Sequence, residues 1–199
     1  SANVGEVVLF ALAVVAGLGA PMTVVQVLTV NLLTDGPPAI ALARDPAGRL
    51  AYRRGAMSEL LGRKLVGPLL VVGVTVGLAA LAAFLAVREL RPEAAQTAAY
   101  ATVALAELVF VFSCRAETLP PWRLPRNRHL EVAVLGSLGF LVLTLYLPAL
   151  QDAFDTVSPS LQEAAIVVAL AIVPALAAET WKALARRRAW SGPADKLKL

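Results

Sequence analysis

Six long apolar runs, divided by short blocks of charge, leave this 199-residue chain few ways to fold. They cover roughly residues 4–18, 21–42, 65–87, 94–114, 130–150 and 161–183. A helix needs about 20 mostly apolar residues to cross the hydrocarbon core of a bilayer. Within that core every backbone N–H and C=O must be satisfied internally, which favours helix for such runs. The hydrophobic share is 58%, above the roughly 45–50% of globular chains, and the mean hydropathy is +0.72. The expected fold is an all-α polytopic membrane protein, a six-helix transmembrane bundle forming a single domain over 1–199. The first run is short and looks cut at its start, and Ser1 is not an initiator Met. The chain therefore reads as an excised or processed part of a longer polypeptide. No loop exceeds about 25 residues, so no separate soluble domain is expected.

The basic residues set the orientation. Six lie between Arg44 and Lys64, four between Arg115 and Arg128, and six from Lys182 onward. Only Arg88 and Arg91 fall on the other side. The positive-inside rule puts those three blocks in the cytoplasm, and with six spans the N-terminus joins them. The expected location is an integral multi-pass position in the cell membrane of a prokaryote. The net charge of +4 then reflects topology, with some affinity for anionic lipid. Arg186-Arg187-Arg188 abuts a helix end, so nucleic acid is not expected as a partner; the lipid bilayer is. Lone Cys114 excludes an internal disulfide framework.

Polar groups inside the apolar runs are costly. Glu6, Asp35 and Glu107 each place a carboxylate there, and a charge at the bilayer centre costs about 2.5–3.5 kcal/mol or more. No Lys or Arg lies in the interior of the runs to pair with them, Lys182 being at the very end of the last, so a proton, water or a bound cation is the expected partner. Asn3 and Glu6 are spaced i, i+3; Asn31, Thr34 and Asp35 are spaced i, i+3, i+4. Each set shares one helix face. All these donors are oxygens, which suits a hard cation such as Ca²⁺ and argues against copper or zinc. Gly36-Pro37-Pro38 follows at once, and each proline removes a helical N–H. The helix is expected to unwind near Asp35-Gly36-Pro37 and to expose carbonyls as further ligands. Other roles stay open for single members: Glu6 can be interfacial, Asn31 and Thr34 can be interhelical glue, and Glu107 can be a protonated packing group.

The segment Val25-Gln26-Val27-Leu28-Thr29-Val30-Asn31-Leu32-Leu33-Thr34-Asp35-Gly36-Pro37-Pro38-Ala39 resembles the sixth transmembrane helix of cation-transporting P-type ATPases of the calcium-pump type. Asn3-Val4-Gly5-Glu6-Val7-Val8 is similar to the ion-binding part of their fifth helix, Thr97 through Glu107 to their eighth, and Glu179-Thr180-Trp181-Lys182 to the end of their tenth. The resemblance runs in order along nearly the whole chain, as helices five to ten. It implies that Asn3, Glu6, Thr34, Asp35 and Glu107 surround one calcium, and that Asn31 and Asp35 serve a second. The implied function is the membrane cation-binding and translocation half of an ATP-driven pump, with Ca²⁺ as the transported ion. The implied partner is an N-terminal pump half carrying helices one to four and the cytoplasmic domains, through which ATP and Mg²⁺ act. The phosphorylation, actuator and hinge motifs of that family do not occur in these 199 residues, so the chain alone is not expected to hydrolyse ATP. The alternatives are an accessory or split membrane module that binds cations or partners without ATP-driven transport, and a pump for Na⁺, Mg²⁺ or H⁺.

Overall fold

The computed structural model describes residues 2–45, 63–115 and 121–190. The side chains of Ala2, Asp35, 63–66 and 185–190 lie outside the described residues. So do Arg49, Arg53, Arg54, Lys196 and Lys198 of the expected basic blocks. The described residues form helices α1 (Ala2–Val15), α2 (Val24–Ala43), α3 (Arg63–Leu90), α4 (Ala95–Ser113), α5 (Arg128–Tyr146), α6 (Pro148–Phe154) and α7 (Leu161–Trp190). One-turn 3₁₀ helices precede α4 at Pro92–Ala94 and α5 at Pro121–Arg123. Four stretches, Gly67–Leu90, Pro92–Ser113, Arg128–Tyr146 and Leu161–Leu184, are long and apolar enough to cross a membrane. Asn3–Val15 is a shorter apolar helix. α2 matches the four in length at 20 residues but carries Gln26, Asn31 and Asp35.

The centre is α4, wrapped by α3 and α7, which also pack on each other. Its buried residues include Ala95, Ala98, Ala99, Ala101, Ala104 and Ala106. Small side chains let neighbouring backbones approach closely, which is how helices associate where burial against lipid gives little driving force. α1 lies on α3, and α2 lies on α4 and α5. The α1–α3 crossing is close. A Cβ on Gly77 would stand 2.7 Å from the Gly5 carbonyl oxygen and 2.8 Å from Val8. One on Gly5 would stand 2.8 Å from Val76. Glycine at both positions is what permits the approach.

Local signals set the ends. Gly17, at φ +67°, closes α1, with Leu18 N–H donating to the Ala13 carbonyl at 2.9 Å; this is a Schellman stop. Thr23 and Gln26 open α2 with a reciprocal capping box. Ser160 and Glu163 open α7 in the same way: Ser160 N–H donates to Glu163 at 2.8 Å, and Glu163 N–H to Ser160 Oγ at 3.3 Å. Lys182 reaches back from α7, donating to the Ser113 carbonyl at 2.7 Å at the C-terminus of α4, where a cation complements the helix dipole.

Two prolines depart from the local expectation in opposite ways. The apolar run 130–150 folds as two helices because Pro148 cannot donate to the Thr144 carbonyl; Thr156 Oγ1 donates to it instead. At Gly36-Pro37-Pro38 the expected unwinding is corrected: α2 runs without interruption from Val24 to Ala43 through both prolines. Pro37 leaves the Leu33 carbonyl without its helical donor, and Ser137 Oγ of α5 donates to it at 2.8 Å. A lateral hydroxyl replaces the lost bond, so the backbone need not open.

Candidate cation site

The polar residues of α1 and α2 meet inside the bundle. Glu6 is only 9% exposed, one residue from the close crossing at Gly5. Its carboxylate accepts from Asn31 Nδ2, at 3.1 Å to Oε1 and 3.3 Å to Oε2. The same amide nitrogen donates to the Val27 carbonyl at 3.0 Å. That contact anchors Asn31 to its own helix while it reaches across to α1. With the nitrogen turned to Glu6, Oδ1 is the Asn31 atom left to act as an acceptor or ligand.

Thr34 is half-buried, and its hydroxyl donates to the Val30 carbonyl at 3.0 Å. Its oxygen lone pairs can still ligate. Pro38 removes the helical donor of the Thr34 carbonyl, placing a backbone oxygen with weakened internal bonding beside Asp35. The backbone of Asp35 lies within α2; its side chain lies outside the described residues. Glu107 is 7% exposed on α4, the helix that contacts both α1 and α2. Asn3 is exposed near the start of α1.

The structure thus joins Glu6 to Asn31 directly, sets Thr34 and Asp35 on the next turn of α2, and buries Glu107 on the adjoining helix. Among the described residues, no three acidic, His or Cys side chains gather as a metal-holding group. A cation held here would draw on amide, hydroxyl and carbonyl oxygens as well as carboxylates, the mixture that large hard cations accept. Sequence reasoning passed over Ser137, which supports α2 beside these donors. Its signal was a lone hydroxyl between two glycines in Leu135-Gly136-Ser137-Leu138-Gly139.

Comparison with known proteins gives a consistent family. Residues 19–184 match the family model described as "Cation transporting ATPase, C-terminus". The chain is 37% identical over 185 residues to a calcium-transporting ATPase of Bacillus subtilis, covering 87% of this chain and 20% of that protein. It is 30% identical over 186 residues to mouse calcium-transporting ATPase type 2C member 2, covering 86% of this chain and 19% of the relative. A Bacillus cereus calcium-transporting ATPase 1 is 28% identical over 206 residues, covering 92% and 23%. The chain spans about a fifth of the length of the curated relatives it matches.

Proposed function

The chain belongs to the P-type cation-transporting ATPases, as their C-terminal transmembrane domain, and from that premise we propose that it forms the cation-binding and translocation half of an ATP-driven Ca²⁺ pump. The observation that supports this is the Glu6–Asn31 contact, which draws polar side chains of two apolar helices together inside the bundle. Asn3, Glu6, Asn31, Thr34, Asp35 and Glu107 are the proposed ligand set. In the arrangement described, the Asn31 amide N–H groups occupy the Glu6 carboxylate. Loading a cation exchanges those donors for the ion, and rotation of the amide turns Oδ1 toward it. Glu6 and Glu107 can take up protons when the ion leaves, which spares the protein a buried uncompensated charge.

The partner is an N-terminal half carrying four further membrane helices and the nucleotide-using domains. Phosphorylation there moves the neighbouring helices and alters the oxygen set around the ion. All six apolar runs cross the membrane, with both termini and the Asp45 end of the bundle in the cytoplasm of a prokaryotic cell. The test is ATP-dependent Ca²⁺ uptake, measured beside Na⁺, by the full-length protein in sealed vesicles. Asp35→Asn should abolish it. Uptake unchanged by that substitution would sink the site, and Na⁺ uptake in place of Ca²⁺ would sink the cargo.

A further inference from the structure

Asp45 lies ten residues beyond Asp35, in the turn that ends α2, and is only 4% exposed. Arg115, just past the end of α4, meets it with a fork: Nε donates to Oδ2 at 2.6 Å and Nη2 to Oδ1 at 3.4 Å. Nη2 also donates to the Pro125 carbonyl. Asn127 completes the cluster from the start of α5. Its Nδ2 donates to Asp45 Oδ2 at 3.1 Å and to the Ala41 carbonyl at 3.4 Å, while its Oδ1 accepts from Leu130 N–H at 3.1 Å as the N-cap of α5. One carboxylate thus gathers the end of α2, the end of α4 and the beginning of α5.

A buried ion pair is an inefficient way to add stability, because desolvation offsets most of the attraction. Its use is to specify one arrangement, and this one specifies something particular. Arg115 stands eight residues past Glu107 on the α4 side, and Asp45 ten residues past Asp35 on the α2 side. Both acidic positions are therefore referenced to the same pair. A second polar link, Ser137 to the Leu33 carbonyl, joins α2 to α5 about 18 Å further along the axis. Between the two links lie Thr34, Asp35 and the prolines, where the internal ladder of α2 is weakest. That segment is held at both ends and lightly bonded in the middle.

We propose that Asp45, Arg115 and Asn127 are positioning residues for the cation site, fixing the register of α2 against α4 and α5 and thereby the distance between the Asn31–Asp35 donors and Glu107. This rests on the transport function proposed above.

The test uses the full-length protein in vesicles, with Arg115→Gln, Asp45→Asn and the exchanged pair Asp45→Arg/Arg115→Asp. Two quantities are read: the Ca²⁺ concentration for half-maximal uptake against maximal rate per folded molecule, and hydrogen exchange at the amides of 39–43 without Ca²⁺. Arg115→Gln should raise the half-maximal concentration about three- to tenfold, with maximal rate within about twofold, and should speed exchange at those amides. Asp45→Asn should do the same if Arg115→Gln folds poorly, and the exchanged pair should recover part of both effects. A loss confined to the amount of folded protein, or an unchanged half-maximal concentration, overturns the positioning role. Unaltered exchange overturns it independently of cargo. Absence of Ca²⁺ uptake by the unmodified protein overturns the transport function instead.

Discussion

Ser137 Oγ donates to the Leu33 carbonyl at 2.8 Å, in the place that the N–H of residue 37 would hold were it not proline. A hydroxyl on α5 thereby completes the backbone ladder of α2, and the pair makes the first prediction. Ser137→Ala should destabilise the protein by about 0.5–2 kcal/mol, the range for a buried backbone acceptor losing its donor and for hydrogen bonds between membrane helices. In the Pro37→Leu background the N–H returns, and Ser137→Ala should be nearly silent. Thermal unfolding of the four members of this cycle in detergent checks it; equal losses in both backgrounds would show that Ser137 acts otherwise.

The Glu6–Asn31 contact predicts an order of effects on cation affinity. Asn31→Ala and Glu6→Gln each remove a donor from the joined pair and should raise the half-maximal Ca²⁺ concentration by tenfold or more, corresponding to at least about 1.4 kcal/mol. Thr34→Ala should cost less, about two- to fivefold, because it removes one neutral oxygen and leaves the Glu6–Asn31 pair intact. Uptake titrations rank the three, and a Thr34 effect larger than that of Asn31 would reverse the assignment.

Glycines at different depths should respond differently to one methyl group. Gly77→Ala meets the Gly5 carbonyl at 2.7 Å and Val8 at 2.8 Å, and should cost about 1–3 kcal/mol as overpacking. Gly36→Ala meets nothing within 4 Å and lies inside α2, so it should be neutral or stabilising by up to about 1 kcal/mol. Melting temperatures of the two variants decide it.

Asp155 ends α6 with φ 50° and ψ 48°, a left-handed conformation, and its carbonyl accepts from Gln26 Nε2 at 2.7 Å. Asp155→Gly should be tolerated or slightly stabilising, whereas Asp155→Val should cost about 1–2 kcal/mol from the clash of a side chain in that region. Unfolding temperatures again give the readout, and similar melting of the two variants would contradict the strain argument.

The all-α bundle was legible because lipid leaves an apolar run few alternatives to helix, and α1, α3, α4, α5 and α7 follow from the runs directly. The outcome at prolines was not. Pro37 and Pro148 each orphan a carbonyl four residues earlier, and in both cases a hydroxyl from elsewhere repairs it. At Pro37 the chain continues as helix; at Pro148 it turns. The deciding partners, Ser137 and Thr156, are separated in sequence from Leu33 and Thr144, and nothing beside them in the sequence says which carbonyl they serve. The candidate site was legible as a set of costly oxygen donors in apolar runs. Which donors touch was not: Asn31 spans to Glu6, whereas the Thr34 hydroxyl donates within its own helix. The Asp45–Arg115 pair escaped notice because each residue looks like an ordinary charge at a loop edge until the fold buries it.

The crossing of α1 and α3 at Gly5 and Gly77 leaves no slack between the two backbones. Further along α1, Leu9 and Ala13 are fully buried as well. The two helices are therefore built to travel as one paired rod. A displacement applied to α3 would carry Gly5, and Glu6 beside it, along with it.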